Sequence, residues 1–161
     1  MSSANSPRLS VAALLATRPG HAPRLIFRTH RGRRGQRRKG FIETEYAALL
    51  DAAHSQLSGP IVLIWDNLNT HTSRAMAELI AARPWLTVFR LPPYAHELNP
   101  VEPVWSHLKR SLANLTKHDL AELTALAKTR LRRMQYRPRL LAGFCASTAL
   151  EFGPFLYPRP Q

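Results

Sequence analysis

The sequence is poor in cysteine, in acids and in long apolar runs. Its one cysteine, Cys145, excludes an internal disulfide and a cysteine-based zinc site. The apolar stretch Val11 to Ala16 is too short to span a membrane. It has the look of a signal-peptide core, but Arg18-Pro19-Gly20 and an alternating pattern follow it, so export is not expected. Only ten acids face 23 basic residues, a formal net charge of +13, and no acid precedes Glu43. Lysine is scarce too: 19 of the 23 basic residues are arginine. Arginine forks suit phosphate, so such an excess makes nucleic acid the default partner. The competing reading is a basic protein that is merely soluble or ribosome-associated.

What is present supports one globular domain. The chain has 161 residues, 45% of them hydrophobic, long enough to bury a real core. No internal repeat is visible. Residues 8–150 are expected to form the domain, with 1–7 and 152–161 as flexible ends.

Periodicity predicts strands over Arg8 to Ala16 and Arg24 to His30, joined by a Pro-Gly turn into an antiparallel hairpin. From Arg28 to Lys39, seven of twelve side chains are cationic. This run reads either as a solvated loop or as a phosphate-gripping one through Arg31, Arg33, Arg34, Arg37, Arg38 and Lys39. A helix is predicted over Thr44 to Leu57, stopped by Gly59-Pro60. The apolar run Ile61 to Trp65 reads as a strand buried on both faces. Thr70 or Ser73 is expected to cap a helix reaching Ala82, and Leu86 to Leu91 reads as another strand. Further helices are expected from Asn99-Pro100, from Asp119 to Met134, and within Leu140 to Leu150. Arg130, Arg132 and Arg133 at the end of the second are available to phosphate. The order is that of an α/β chain with a mixed sheet flanked by helices.

Two carboxylates stand out. Asp66 ends the Ile61 to Trp65 run, where ligands gather in open α/β sheets; its bland reading is a turn residue beside Asn67 and Asn69. Glu102 follows Asn99 and Pro100 at the spacing of a capping box, a structural role that competes with a catalytic one. If the two strands run parallel, both acids reach one rim of the sheet, a geometry suited to divalent cations.

The stretch Trp65-Asp66-Asn67-Leu68-Asn69-Thr70-His71 is followed by Leu91-Pro92-Pro93-Tyr94-Ala95-His96-Glu97-Leu98-Asn99-Pro100-Val101-Glu102-Pro103-Val104-Trp105. Thirty-five residues separate Asp66 from Glu102. These linked motifs resemble those of DDE transposases from bacterial insertion sequences related to mariner elements. The resemblance runs from about Leu9 to Leu150; His96 departs from it, standing where the family usually has proline.

The resemblance implies a ribonuclease-H-like fold, with Asp66 and Glu102 as the second and third metal-binding acids. Two Mg²⁺ (or Mn²⁺) ions would serve the intact enzyme. Asn67, His71 and Asn99 would support the acids rather than bind metal. The implied partner is DNA, as transposon ends and target, in the bacterial cytoplasm and away from membranes; a homodimer is possible.

The family's first aspartate, on the first strand, has no counterpart, since no acid precedes Glu43. The chain is therefore expected to lack that strand and the family's helix-turn-helix region. Two readings follow. One is an enzyme part, inactive alone and binding cations weakly or singly, which an upstream fragment would complete. The other is a non-catalytic basic DNA-binding remnant or regulator.

Overall fold

A computed structural model describes residues 8–32, 40–114 and 119–151. The expected flexible ends and Arg33, Arg34, Arg37, Arg38 and Lys39 of the basic run lie outside these residues. The chain divides into two compact units, one formed by Phe41–Asn99 and the other by the residues on either side of it.

In the flanking unit, β1 (Arg8–Ala16) and β2 (Arg24–Gly32) form the expected antiparallel hairpin, with Val11 opposite Thr29, Ala13 opposite Phe27 and Leu15 opposite Leu25. Side chains alternate along a strand, so these six share one face. That face packs on α4 (Val101–Leu112), α5 (Leu120–Gln135) and α6 (Pro138–Ala146). The core joins Leu25, Val104, Leu108, Leu131, Met134, Leu141 and Phe144. Helix α5 starts at a capping box: Asp119 Oδ1 accepts from Glu122 N at 2.7 Å, and Glu122 Oε2 accepts from Asp119 N at 3.3 Å.

The 41–99 unit contains α1 (Glu43–Leu57), β3 (Ile61–Trp65), the single turn α2 (Asn69–Thr72), α3 (Arg74–Ala81) and β4 (Leu86–Arg90). Strands β3 and β4 are parallel, with Ile61 opposite Leu86 and Trp65 opposite Arg90. Of the two candidate caps, Ser73 starts α3, its Oγ accepting from Met76 N at 3.1 Å. Arg83 grips Asp51 of α1 with two bonds of 2.7 and 2.8 Å, the fork geometry that arginine favours.

Two expectations need correction. The hairpin does not share a hydrogen-bonded sheet with β3; the described strands form two separate two-stranded sheets. No described strand bonds to both pairs. Nor is β3 buried on both faces. Leu63 and Trp65 are buried, whereas Val62 is 64% and Ile64 39% exposed, and Phe89, opposite Ile64, is 58% exposed. Exposed and buried side chains alternate from Val62 to Trp65, the pattern of a strand buried on one face.

Candidate active site around Asp66

Asp66 follows the last residue of β3, at the carboxyl end of the parallel pair. Its Oδ1 accepts from Leu68 N at 3.2 Å, a tight local turn, and from His71 Nδ1 at 2.9 Å. The one-turn helix α2 brings His71 back to the strand end. There the imidazole stacks on Trp65, centroids 4.1 Å apart and planes 2° from parallel, while the Tyr46 ring meets it edge-on at 4.8 Å. His71 is 11% exposed and Asp66 38%.

Burial holds the His71 pKa below the usual imidazole value, outweighing the Asp66 charge, which pulls the other way. The imidazole is therefore neutral at pH 7. A carboxylate can only accept, so Nδ1 carries the proton and Nε2 is left bare, buried and without a partner. Burial, then the Asp66 charge, raises the Tyr46 pKa. One oxygen of the Asp66 side chain is thus aimed by a neutral donor.

Asn67 turns the other way. Its Nδ2 donates to the Leu91 carbonyl at 2.8 Å, tying the ends of β3 and β4 together. A cleft of about 540 Å³ opens here, lined by Asp66, Asn67, Tyr94, His96 and Asn99 among others. Tyr94 is 94% exposed and holds a φ of 62°, a left-handed backbone that sidechain-bearing residues seldom adopt. The Pro92-Pro93 pair announced a stiff loop, but nothing in the sequence marked Tyr94 as its left-handed residue.

Glu102 lies in the first turn of α4, within the flanking unit. The expected capping box does not form. Asn99 ends a 3-10 turn over His96–Leu98, its N–H donating to the His96 carbonyl at 3.0 Å. Pro100 then takes the cap position, which carries no side-chain bond. Glu102 sits one residue too early in the helix to reach back to a cap amide. Two of the three acids nearest the start of the chain are engaged elsewhere: Glu45 caps Ile42 N at 3.1 Å and Asp51 holds Arg83. Among the described residues, no three His, Cys, Asp or Glu side chains gather into a metal-binding group.

The arginines of α5 differ from one another. Arg132 and Arg133 are exposed, whereas Arg130 has its Nε buried and without a hydrogen bond. Among the described residues no helix is long and apolar enough to cross a membrane.

Comparison with known proteins bears on the fold and the family. No curated protein matches the sequence. In fold, the chain is similar to the catalytic domain of Mos1 mariner transposase, at a TM-score of 0.50 and 12% identity over 89% of this chain and 83% of that one. It is also similar to the Mos1 transposase in a paired-end complex with the left transposon end, at a TM-score of 0.52 and 12% identity. It spans 89% of its own length there but only 56% of that chain. These likenesses give the chain a ribonuclease-H-like transposase catalytic fold. Residues 3–124, most of the chain, match the model of the DDE superfamily endonucleases, and the chain belongs to that family.

Proposed function

We propose that this chain is part of a DDE transposase catalytic domain, with Asp66 and Glu102 as two of its metal-binding acids, acting in DNA strand cleavage and transfer. The carrying observation is Asp66: a carboxylate at a parallel strand end, lining a cleft and aimed by a neutral histidine. Hard carboxylate oxygens suit Mg²⁺ or Mn²⁺. Two such ions, when bound, would activate the attacking water or DNA 3′-hydroxyl and stabilise the leaving oxygen. With Asp66 and Glu102 as its two acids, this chain is expected to bind cations weakly or singly. His71 orients Asp66, and Asn67 fixes the strand ends that carry it. DNA is the partner, consistent with the net charge of +13 and with a similar structure that holds a transposon end. The setting is the bacterial cytoplasm. An upstream fragment bearing the family's first aspartate would complete the site, and a second copy of the chain is a further partner.

A second reading, a DNA-binding remnant without catalysis, is favoured by one observation: Glu45 and Asp51, two of the acids nearest the start, are engaged in structural bonds. One experiment separates them. Mn²⁺ binding is titrated calorimetrically, and nicking of supercoiled plasmid is followed, for the parent, Asp66→Asn and Glu102→Gln. The transposase reading predicts weak Mn²⁺ binding that Asp66→Asn abolishes and Glu102→Gln weakens, with no nicking by the chain alone. Mn²⁺ binding indifferent to both substitutions would leave the remnant as the better account. Nicking by the parent that both substitutions abolish would show that another residue of the chain replaces the family's first aspartate.

A further inference from the structure

Strand β2 has a free edge. Among the described residues it pairs with β1 alone. Gln135, at the end of α5, donates from Nε2 to the Leu25 carbonyl at 2.8 Å. In an antiparallel ladder a residue directs its N–H and C=O to the same side, and alternate residues repeat that side. Leu25 therefore turns its main chain away from β1, and so do Phe27 and Thr29. Their amide groups point to the open edge.

Helix α5 runs beside that edge. Lys128, Arg132 and Gln135 are four and three residues apart, so they share one face of the helix. With Phe27, Arg28 and Thr29 they line an open cleft of about 460 Å³. Lys128 and Arg132 bring two cations to it from the helix, Arg28 carries a third on the far face of the strand, and no carboxylate lines it. Arg28 and Arg132 are exposed and Lys128 half-buried; none of the three takes part in an ion pair among the described residues. Amide donors of a strand edge combined with fixed cations make an anion-binding concavity.

We infer that the β2–α5 cleft is a seat for the DNA phosphate backbone, with Lys128 and Arg132 gripping phosphates one helical turn apart, about 6 Å along the helix axis. The Phe27 and Thr29 amides donate to phosphate oxygens, and Arg28, whose side chain alternates to the other face of β2, adds charge beyond the edge. This seat rests on the DNA-acting reading of the chain. It carries no sequence preference, because phosphate contacts position a duplex without reading it. An added peptide strand could also use the edge, but it would take the cations only if acidic, and the charge of the whole chain favours a polyanion.

The test is duplex DNA binding by fluorescence anisotropy over a salt series. The parent is compared with Lys128→Gln/Arg132→Gln and with an equally discharged control, Arg18→Gln/Arg139→Gln, both of whose sites are exposed. Circular dichroism verifies the fold of each. The salt slope of the cleft variant should fall by about 1.8, or about 0.9 for each lost phosphate contact. The control should keep the parent slope. Independently of any substitution, the Phe27 and Thr29 amide resonances should shift when a short duplex is added to the parent. Equal slopes in the two variants, or unshifted amides, would remove the cleft while leaving the catalytic reading intact. A parent that binds no DNA at all would sink both. Binding of an acidic decapeptide that the cleft substitutions abolish, with DNA affinity unchanged, would assign the cleft to a protein strand instead.

Discussion

The imidazole of His71 lies flat on the indole of Trp65, the last residue of β3, with ring centroids 4.1 Å apart. The strand thus ends in a side chain that holds the histidine, and the histidine holds the next residue, Asp66, at 2.9 Å. Three residues, two of them adjacent, fix one carboxylate oxygen through a stack and a hydrogen bond.

This arrangement makes stability depend on pH. Burial lowers the folded pKa of His71 below its ordinary value of about 6.5. As pH falls below that value, the unfolded chain takes up a proton that the folded one resists. Stability is therefore full above about pH 6.5 and declines toward the lower folded pKa. Thermal melts from pH 8 to pH 5 should show this loss, and His71→Phe, which keeps the stack, should flatten it. His107 is also lowered by burial, but it is far less enclosed, so His107→Gln should leave most of the slope.

Helix α1 ends at Ser58, whose φ of 52° is left-handed. The Gly59 that follows does not take this conformation, although the sequence marks it as the helix stop. Ser58→Gly should stabilise the protein by about 1 kcal/mol, seen as a raised denaturant midpoint at constant slope. An unchanged or lowered midpoint would mean that the Ser58 side chain contributes something the backbone strain conceals.

The Asn67 amide to Leu91 is the cross-tie between the ends of β3 and β4. Asn67→Ala should cost about 1 kcal/mol or slightly more, since it leaves a part-buried carbonyl without its donor. Asn67→Asp should cost more at neutral pH, because a carboxylate would then face a carbonyl oxygen. Urea unfolding of the three proteins orders them, and equal midpoints would contradict the tie.

Cys145 is buried, and burial pushes its thiol up to about 11. The thiolate is the reactive form. Iodoacetamide at pH 8 should leave the native thiol unmodified over a period in which denatured protein is fully alkylated, as read by mass spectrometry. Rapid native labelling would show that α6 opens locally.

Much of the fold was legible from periodicity. Strands β1 and β3 begin and end where their apolar patterns do. Helix α5 keeps its stripe through Ala127, Leu131 and Met134. Features that depend on neighbours were harder to read. Whether the hairpin and β3 share a sheet depends on a strand between them, and whether Val62 is covered depends on what lies opposite; neither is written in the strand itself. Capping illustrates the same limit. The Asn99–Glu102 spacing promised a box that a preceding 3-10 turn displaces, while Asp119–Glu122, with the same spacing, forms one. Around Asp66, the motif supplied the residues, but the Trp65 stack, the Tyr46 edge and the protonation of His71 come from packing. The β2–α5 cleft draws its cations from two segments a hundred residues apart, and only the folded chain juxtaposes them.

The open face of the β3–β4 pair has a practical consequence. Val62, Ile64 and Phe89 offer a contiguous apolar surface on the native protein. Environment-sensitive dyes fluoresce on such surfaces before any unfolding occurs. Dye-based melting curves should therefore start from a bright baseline and show a shallow or inverted transition. Far-ultraviolet circular dichroism, which follows the helices, should report the melting temperature without that distortion.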